Sequence, residues 1–153
     1  MKIKQILTKD SIVASLESTA KEPVLLELAA VLTRRCPDLS AEEIARVLME
    51  REKLGSTGIG NGVAIPHGKV SQLSQIVTAF GRSLRGVSFE SQDGKPAHLF
   101  FVLLAPENAA SLHLKALARL SRLLKDLHFR NKLLEAKDED QLFAEIVDED
   151  EKF

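Results

Sequence analysis

The residues of this 153-residue chain best placed to do chemistry are a histidine and an arginine. His67 lies between Pro66 and Gly68, and Arg51 is the nearest upstream arginine. A neutral imidazole is a nucleophile at physiological pH and can accept a phosphoryl group. That group spreads negative charge over three oxygens, so its transfer is mainly a matter of positioning and electrostatics. A planar guanidinium fork suits those oxygens. Ser56 and Thr57 are candidate hydroxyl donors to the same phosphate. Pro66 restrains the backbone, and Gly68 is expected to leave room beside the imidazole. By residue type alone, His67 also reads as a turn residue in a glycine-rich connection.

The setting of His67 is uneven. Five of the eight glycines fall between Gly55 and Gly68. Glycines let backbone N–H groups approach an anion closely. Two familiar phosphate loops nevertheless fail here. A Walker loop ends in Gly-Lys-Ser/Thr, whereas Gly60 is followed by Asn61-Gly62-Val63. A dinucleotide fingerprint starting at Gly58 or Gly60 needs a small residue where Val63 or Ile65 stands. Nucleotide binding is therefore not supported.

The flanks of the cluster read as regular elements. Lys21 to Arg35 carries a helical apolar stripe, with Pro23 in its first turn and Pro37 past its end. Ser40-Ala41-Glu42-Glu43 is a capping box that opens a second helix, expected to run to Arg51 or Lys53 before Gly55. Arg51 thus sits where this helix meets the loop. Ile76 to Phe80 reads as a strand, and Val87 and Phe89 alternate with polar residues before the Gln92-Asp93-Gly94-Lys95 turn. Leu99 to Ala105 has no polar face and reads as a central strand covered on both sides, closed by Pro106. Asn108 to Leu127 reads as a long amphipathic helix. At 3.6 residues per turn, His113, Leu117, Leu120 and Leu124 share one face to within about 40°. Helices are expected at Phe129–Glu135 and Glu139–Val147, and residues 148–153 read as a frayed acidic tail. The fold class that follows is α/β: one domain, residues 1–153, with a mixed sheet sandwiched between helical layers.

Residues 51 to 68, Arg-Glu-x-x-Gly-Ser-Thr-Gly-Ile-Gly-Asn-Gly-Val-Ala-Ile-Pro-His-Gly, resemble an active-site signature. It is that of the enzyme IIA proteins of the phosphoenolpyruvate-dependent phosphotransferase system, mannitol/fructose class. The likeness extends to the Leu-Leu-Ala-Pro-Glu end of the central strand and to the helix bearing His113, and within the class it is strongest to the nitrogen-regulatory branch. The resemblance implies that His67 is the phosphorylated residue, on its outer ring nitrogen. It also implies that Arg51 binds phosphoryl oxygens and that His113 supports the site. The implied donor is a small histidine phosphocarrier protein, charged in turn by enzyme I. The implied targets are regulatory proteins such as potassium-transport regulators. No cofactor is needed for this chemistry.

Other features exclude alternatives. Lysine and arginine number 21 against 22 acids, which argues against a dedicated nucleic-acid binder. The longest apolar run is far short of a membrane span, and the first twenty residues lack a secretory apolar stretch, so a cytoplasmic protein without membrane insertion is expected. The histidines show no metal-ligand spacing. His98 reads as structural and His128 as a surface residue. Cys36 reads as a buried small residue whose neighbouring arginines would lower its pKa. Arg119, Arg122 and Lys125 read as a solvated face. A sugar relay would need a further acceptor, often a cysteine. Cys36 lacks an acceptor context, and the chain ends at Phe153. A regulatory output is therefore expected, with sugar transport through a separate IIB domain as the alternative. A binding module that has lost the chemistry is a third reading, opposed by the intact Arg51, His67 and His113.

Overall fold

The computed structural model describes residues 1–152. The strands are β1 (Ile12–Val13), β2 (Gly58–Gly60), β3 (Val63–Ala64), β4 (His67–Val70), β5 (Val77–Val87) and β6 (Ala97–Pro106). The helices are α1 (Lys21–Leu32), α2 (Ala41–Glu52), α3 (Ala110–Leu124), α4 (Leu127–Glu135) and α5 (Glu139–Asp150). The sheet order is β1-β5-β6-β3-β2, with β4 also paired to β6. β5 and β6 are antiparallel, whereas β3 and β4 both run parallel to β6. β3 and β4 therefore form one interrupted strand along the same edge of β6. The break falls at Ile65-Pro66, where proline has no N–H for a ladder.

β6 is covered on both faces, as its unbroken apolar run predicts. Phe100, Val102 and Leu104 pack with Leu25, Leu28, Ile44 and Leu48 under the α1–α2 layer. Leu99, Phe101 and Leu103 pack with Leu120, Phe129, Leu133 and Ile146 under the α3–α5 layer. This is the expected mixed sheet between helical layers.

The capping box of α2 is present, with Glu43 N–H donating to Ser40 Oγ at 3.1 Å and Ser40 N–H to Glu43 Oε1 at 3.1 Å. Several boundaries differ from the sequence reading. α1 closes at Leu32, and 33–35 continue as a turn. α3 stops at Leu124 because Asp126 caps a new helix, accepting from His128 and Phe129 N–H at 2.9 and 3.3 Å. β5 runs on through Arg82 and Ser83, which look too polar for a covered strand. Arg82 is buried there because its guanidinium donates to the carbonyls of Ala14, Leu133, Leu134 and Ala136.

Residues 148–150 are not a frayed tail. They form the last turn of α5, and Asp150 is 1% exposed. Its carboxylate accepts from Ile3 N–H at 2.7 Å and from Arg119 Nε at 2.5 Å. Arg119 is thereby drawn out of the solvated face assigned to it. An acidic run looks solvated until one member finds a distant donor, and nothing local in the sequence reports that donor. Phe153 lies outside the described residues.

Gly68 serves packing between layers and not room beside the imidazole. Its register partner is Leu104, so it faces the α2 side of the sheet. A Cβ at Gly68 would lie 2.4 Å from Val47 Cγ1 of α2. Gly68→Ala is therefore expected to destabilise the fold by about 1–3 kcal/mol through overpacking. Adding Val47→Ala should recover part of that loss in urea unfolding. Asp150→Ala is expected to cost about 2–3 kcal/mol, less than breaking a fully buried pair because Arg119 keeps some contact with water. Unchanged urea midpoints would show that these contacts are not holding the layers and the termini.

Candidate functional site

The site is built at the edge of the sheet, where β4 meets both helical layers. Successive side chains on a strand point to opposite faces. His67 pairs with Leu103 and so faces the α3 layer, while Gly68 faces α2. The α3 layer supplies His113, 5% exposed, with its ring centroid 5.5 Å from that of His67 and the planes crossing at 80°. The α2 layer supplies Arg51, one residue before the end of that helix, reaching round the edge strand. The sequence reading thus named three residues that the fold brings together.

Hydrogen bonds define the chemistry of His67. Its Nδ1 lies 2.8 Å from the carbonyl oxygen of Ile65. A carbonyl only accepts, so Nδ1 carries the proton of the neutral ring. The lone pair is then on Nε2, where Arg51 Nε donates at 3.3 Å. Arg51 is itself held by its Nη1, which donates to Gly55 O at 2.9 Å. Burial lowers the His67 pKa, against the raising effect of the Ile65 bond; the Arg51 charge lowers it further and Glu52 raises it. His113 is lowered by burial first, then by His67 and Lys69. Both rings are therefore held towards the neutral form. His113 Nε2 is buried with no hydrogen-bond partner. A neutral nucleophile, a guanidinium at its lone pair and an unpartnered imidazole nitrogen suit a small tetrahedral anion.

A cleft of about 660 Å³ opens over these groups. Leu54 and Leu114 on its walls are 84% and 68% exposed, and Lys69 and Glu50 add charge. A second cleft of about 210 Å³ lies on the other side of Arg51 and His67 and is lined in part by Ser56 and Thr57. Neither hydroxyl proton is available to a phosphate there. Ser56 Oγ donates to Phe89 O at 3.2 Å, and the buried Thr57 Oγ1 donates to the Glu52 carboxylate. The expected hydroxyl donors are therefore parts of the loop's framework.

The remaining candidates lie elsewhere. His98 Nδ1 bonds Ser83 O at 2.8 Å, a structural role as expected, and His128 is exposed. Cys36 is the buried small residue expected, and burial raises its pKa more than the neighbouring Arg35 lowers it. The sequence reading gave no role to Glu52, which is buried beside Arg51, nor to Lys21, whose Nζ lies 2.9 Å from the Glu52 carboxylate. Glu52 stands inside the quoted signature, but its cation comes from the start of another helix, so spacing carried no signal of the pair. No described helix is long and apolar enough to cross a membrane.

Comparisons with known proteins agree on the fold and the family. A nitrogen regulatory protein of Bradyrhizobium diazoefficiens is 42% identical over 150 residues, covering 96% of this chain and 95% of that protein. The fructose-specific EIIABC component of Bacillus subtilis is 43% identical over 152 residues, and the match spans 99% of this chain but only 24% of that protein. The crystal structure of the nitrogen regulatory protein IIA-Ntr of Neisseria meningitidis superposes with a TM-score of 0.89 at 38% identity, covering 94% of this chain and 98% of that one. Residues 5–149 match the family described as phosphoenolpyruvate-dependent sugar phosphotransferase system, EIIA 2. With the edge-strand histidine, the arginine above it and the sheet between helical layers, these matches mean that the chain belongs to the EIIA 2 family of the phosphotransferase system.

Proposed function

We propose that this protein is a phosphocarrier that takes a phosphoryl group on Nε2 of His67 and regulates other proteins by its phosphorylation state. One observation carries the chemistry: the Ile65 carbonyl holds the Nδ1 proton, so the free lone pair of His67 lies at Nε2, against Arg51 and facing the open cleft. The donor is a phosphohistidine on a small phosphocarrier protein, itself charged through enzyme I. The Nε2 lone pair attacks phosphorus, the donor's P–N bond breaks, and its electron pair returns to the donor imidazole. Positive charge grows on the His67 ring as the new bond forms, and the Ile65 carbonyl disperses it through Nδ1–H. Arg51 turns its donors from Nε2 to the phosphoryl oxygens, and His113 Nε2 hydrogen-bonds one of them. Desolvation in the cleft strengthens each of these interactions.

The regulatory reading is supported by likeness to nitrogen regulatory proteins across 95% or more of their length. Phosphorylation adds up to about two negative charges beside exposed Leu54 and Leu114. That change raises the desolvation cost of an apolar partner and repels an acidic one. A tenfold difference in affinity needs only about 1.4 kcal/mol. Potassium-transport regulators are the partner class that the family resemblance suggests. The second reading, relay to a sugar-specific IIB acceptor, is favoured by the 43% identity to the fructose component.

Incubation with phosphoenolpyruvate, enzyme I and the phosphocarrier should give one acid-labile, alkali-stable phosphohistidine at His67. His67→Ala should take up none, and normal labelling of that variant overturns the assignment. Arg51→Lys keeps the charge but loses the planar fork. It should slow transfer at least tenfold while leaving the unfolding midpoint nearly unchanged. Pull-downs that return the same partners at the same affinity with phosphorylated protein and with His67→Ala would favour the transport reading.

The lowered pKa of His67 sets the sign of a pH effect. The folded state resists protonation that the unfolded chain accepts near pH 6.5. The His67 contribution to stability is therefore fully present above that pH and is lost as pH falls through the folded pKa. NMR titration of the His67 ring should show a midpoint below about 6.5, with phosphoryl acceptance flat from pH 8 to 7. A midpoint above 6.5 would mean that burial does not govern this ring.

A further inference from the structure

We infer that Glu52, neutralised by Lys21, is a positioning residue for phosphoryl transfer: it anchors the loop that holds the Arg51 guanidinium against His67 Nε2. The inference rests on the phosphocarrier reading above and names residues for which that reading gives no task.

Glu52 closes α2, one residue after Arg51, and its side chain points inward while that of Arg51 points to the cleft. Its carboxylate accepts from Thr57 N–H at 3.2 and 3.1 Å and from Thr57 Oγ1, and it pairs with Lys21 Nζ at 2.9 Å. Lys21 is itself placed by the Phe89 ring, 4.8 Å from Nζ, and by Glu90 at 3.6 Å. The chain between Glu52 and Thr57 is thus closed into a short loop pinned from below. Its upper side is pinned by Arg51, whose Nη1 donates to Gly55 O at 2.9 Å. Gly55 has φ +141°, and no atom lies within 4 Å of a Cβ placed there, so neighbouring side chains do not brace it. The Glu52–Thr57 bonds and the helix-end bonds Leu54 N–H to Arg51 O and Gly55 N–H to Glu52 O, both 3.1 Å, do so instead.

The consequence is a three-step linkage. Glu52 fixes Thr57, which fixes the loop carbonyl of Gly55, which orients the guanidinium plane. Nη1 is occupied by that carbonyl, so Nε is the donor turned to His67. A freely rotating arginine of the same charge would find Nε2 only part of the time. A buried carboxylate held by one ammonium, a Thr57 N–H shared between its two oxygens and the Thr57 hydroxyl is a rigid anchor, because releasing any partner leaves charge or a polar group unpaired.

The test uses Glu52→Gln, which keeps shape and one acceptor oxygen but loses the charge, in a cycle with Arg51→Ala. With phosphorylated phosphocarrier as donor, Glu52→Gln should lower the maximal transfer rate about tenfold and leave the half-saturating donor concentration unchanged. In the Arg51→Ala background it should cost nothing further, since its effect passes through Arg51. The Arg51 Nε–H resonance should be sharp in the parent and should broaden or vanish through solvent exchange in Glu52→Gln. Glu52→Asp, which restores charge at shorter reach, should recover part of the rate. If Glu52→Gln does not fold, Lys21→Met with the same readouts takes its place and should give the same non-additivity. Equal losses in both backgrounds, or an unchanged Arg51 resonance with an unchanged rate, overturn the inference. Absence of phosphoryl uptake by the parent protein would instead overturn the phosphocarrier reading, and the Arg51 resonance would still decide the positioning claim.

Discussion

The arrangement of the site depends on the alternation of two adjacent residues on an edge strand. β4 must send His67 to one helical layer and leave nothing at Gly68 for the other, because Val47 of α2 occupies that space. The period-two rule of the strand makes these demands inseparable: a register slip of one residue would turn the imidazole into α2 and an empty position toward α3. The contact also sets how near α2 can come to the sheet, and so whether a side chain leaving the end of that helix can reach Nε2. The central strand enforces the register. Leu103 and Leu104 belong to opposite cores, and each is fully buried.

The electrostatics are organised by removal of water more than by paired charges. Burial is the first cause lowering the pKa of both His67 and His113. A neutral ring with its proton fixed by the Ile65 carbonyl leaves Nε2 unprotonated, so the proposed acceptor role needs no separate base. The carboxylate nearest in sequence, Glu52, is turned away and satisfied by Lys21 and Thr57. The residues around His67 therefore present a guanidinium, an imidazole nitrogen and leucines, with the Lys69 and Glu50 charges on the cleft walls.

Much of this was legible in the sequence, for physical reasons that differ by residue. The central strand could be read because a run with no polar face has one satisfactory environment. The α2 start could be read because capping is local. Arg51, His67 and His113 were identified by a long motif and by the apolar stripe that turns His113 inward. Ser56 and Thr57 were misassigned because a hydroxyl in a loop gives no sign of which acceptor it will meet. Asp150, Arg82 and the Glu52–Lys21 pair escaped for a related reason. Each is a buried charge rescued by groups remote in sequence, and residue type alone argues against burial.

The clasp at Asp150 has a kinetic consequence. It joins residues 147 apart in sequence, whereas Arg51 and His67 are sixteen apart. By chain-closure entropy, the longer link costs about 2 kcal/mol more to form. During synthesis it cannot close until the last turn of α5 has emerged, when the strands and helices bearing Arg51, His67 and His113 are already available to pack. The clasp is thus placed to close late in folding. Opening it would loosen the segment at Ile3 and the last turn of α5 together, at the margin of the α3–α5 layer and away from the edge strand that carries His67.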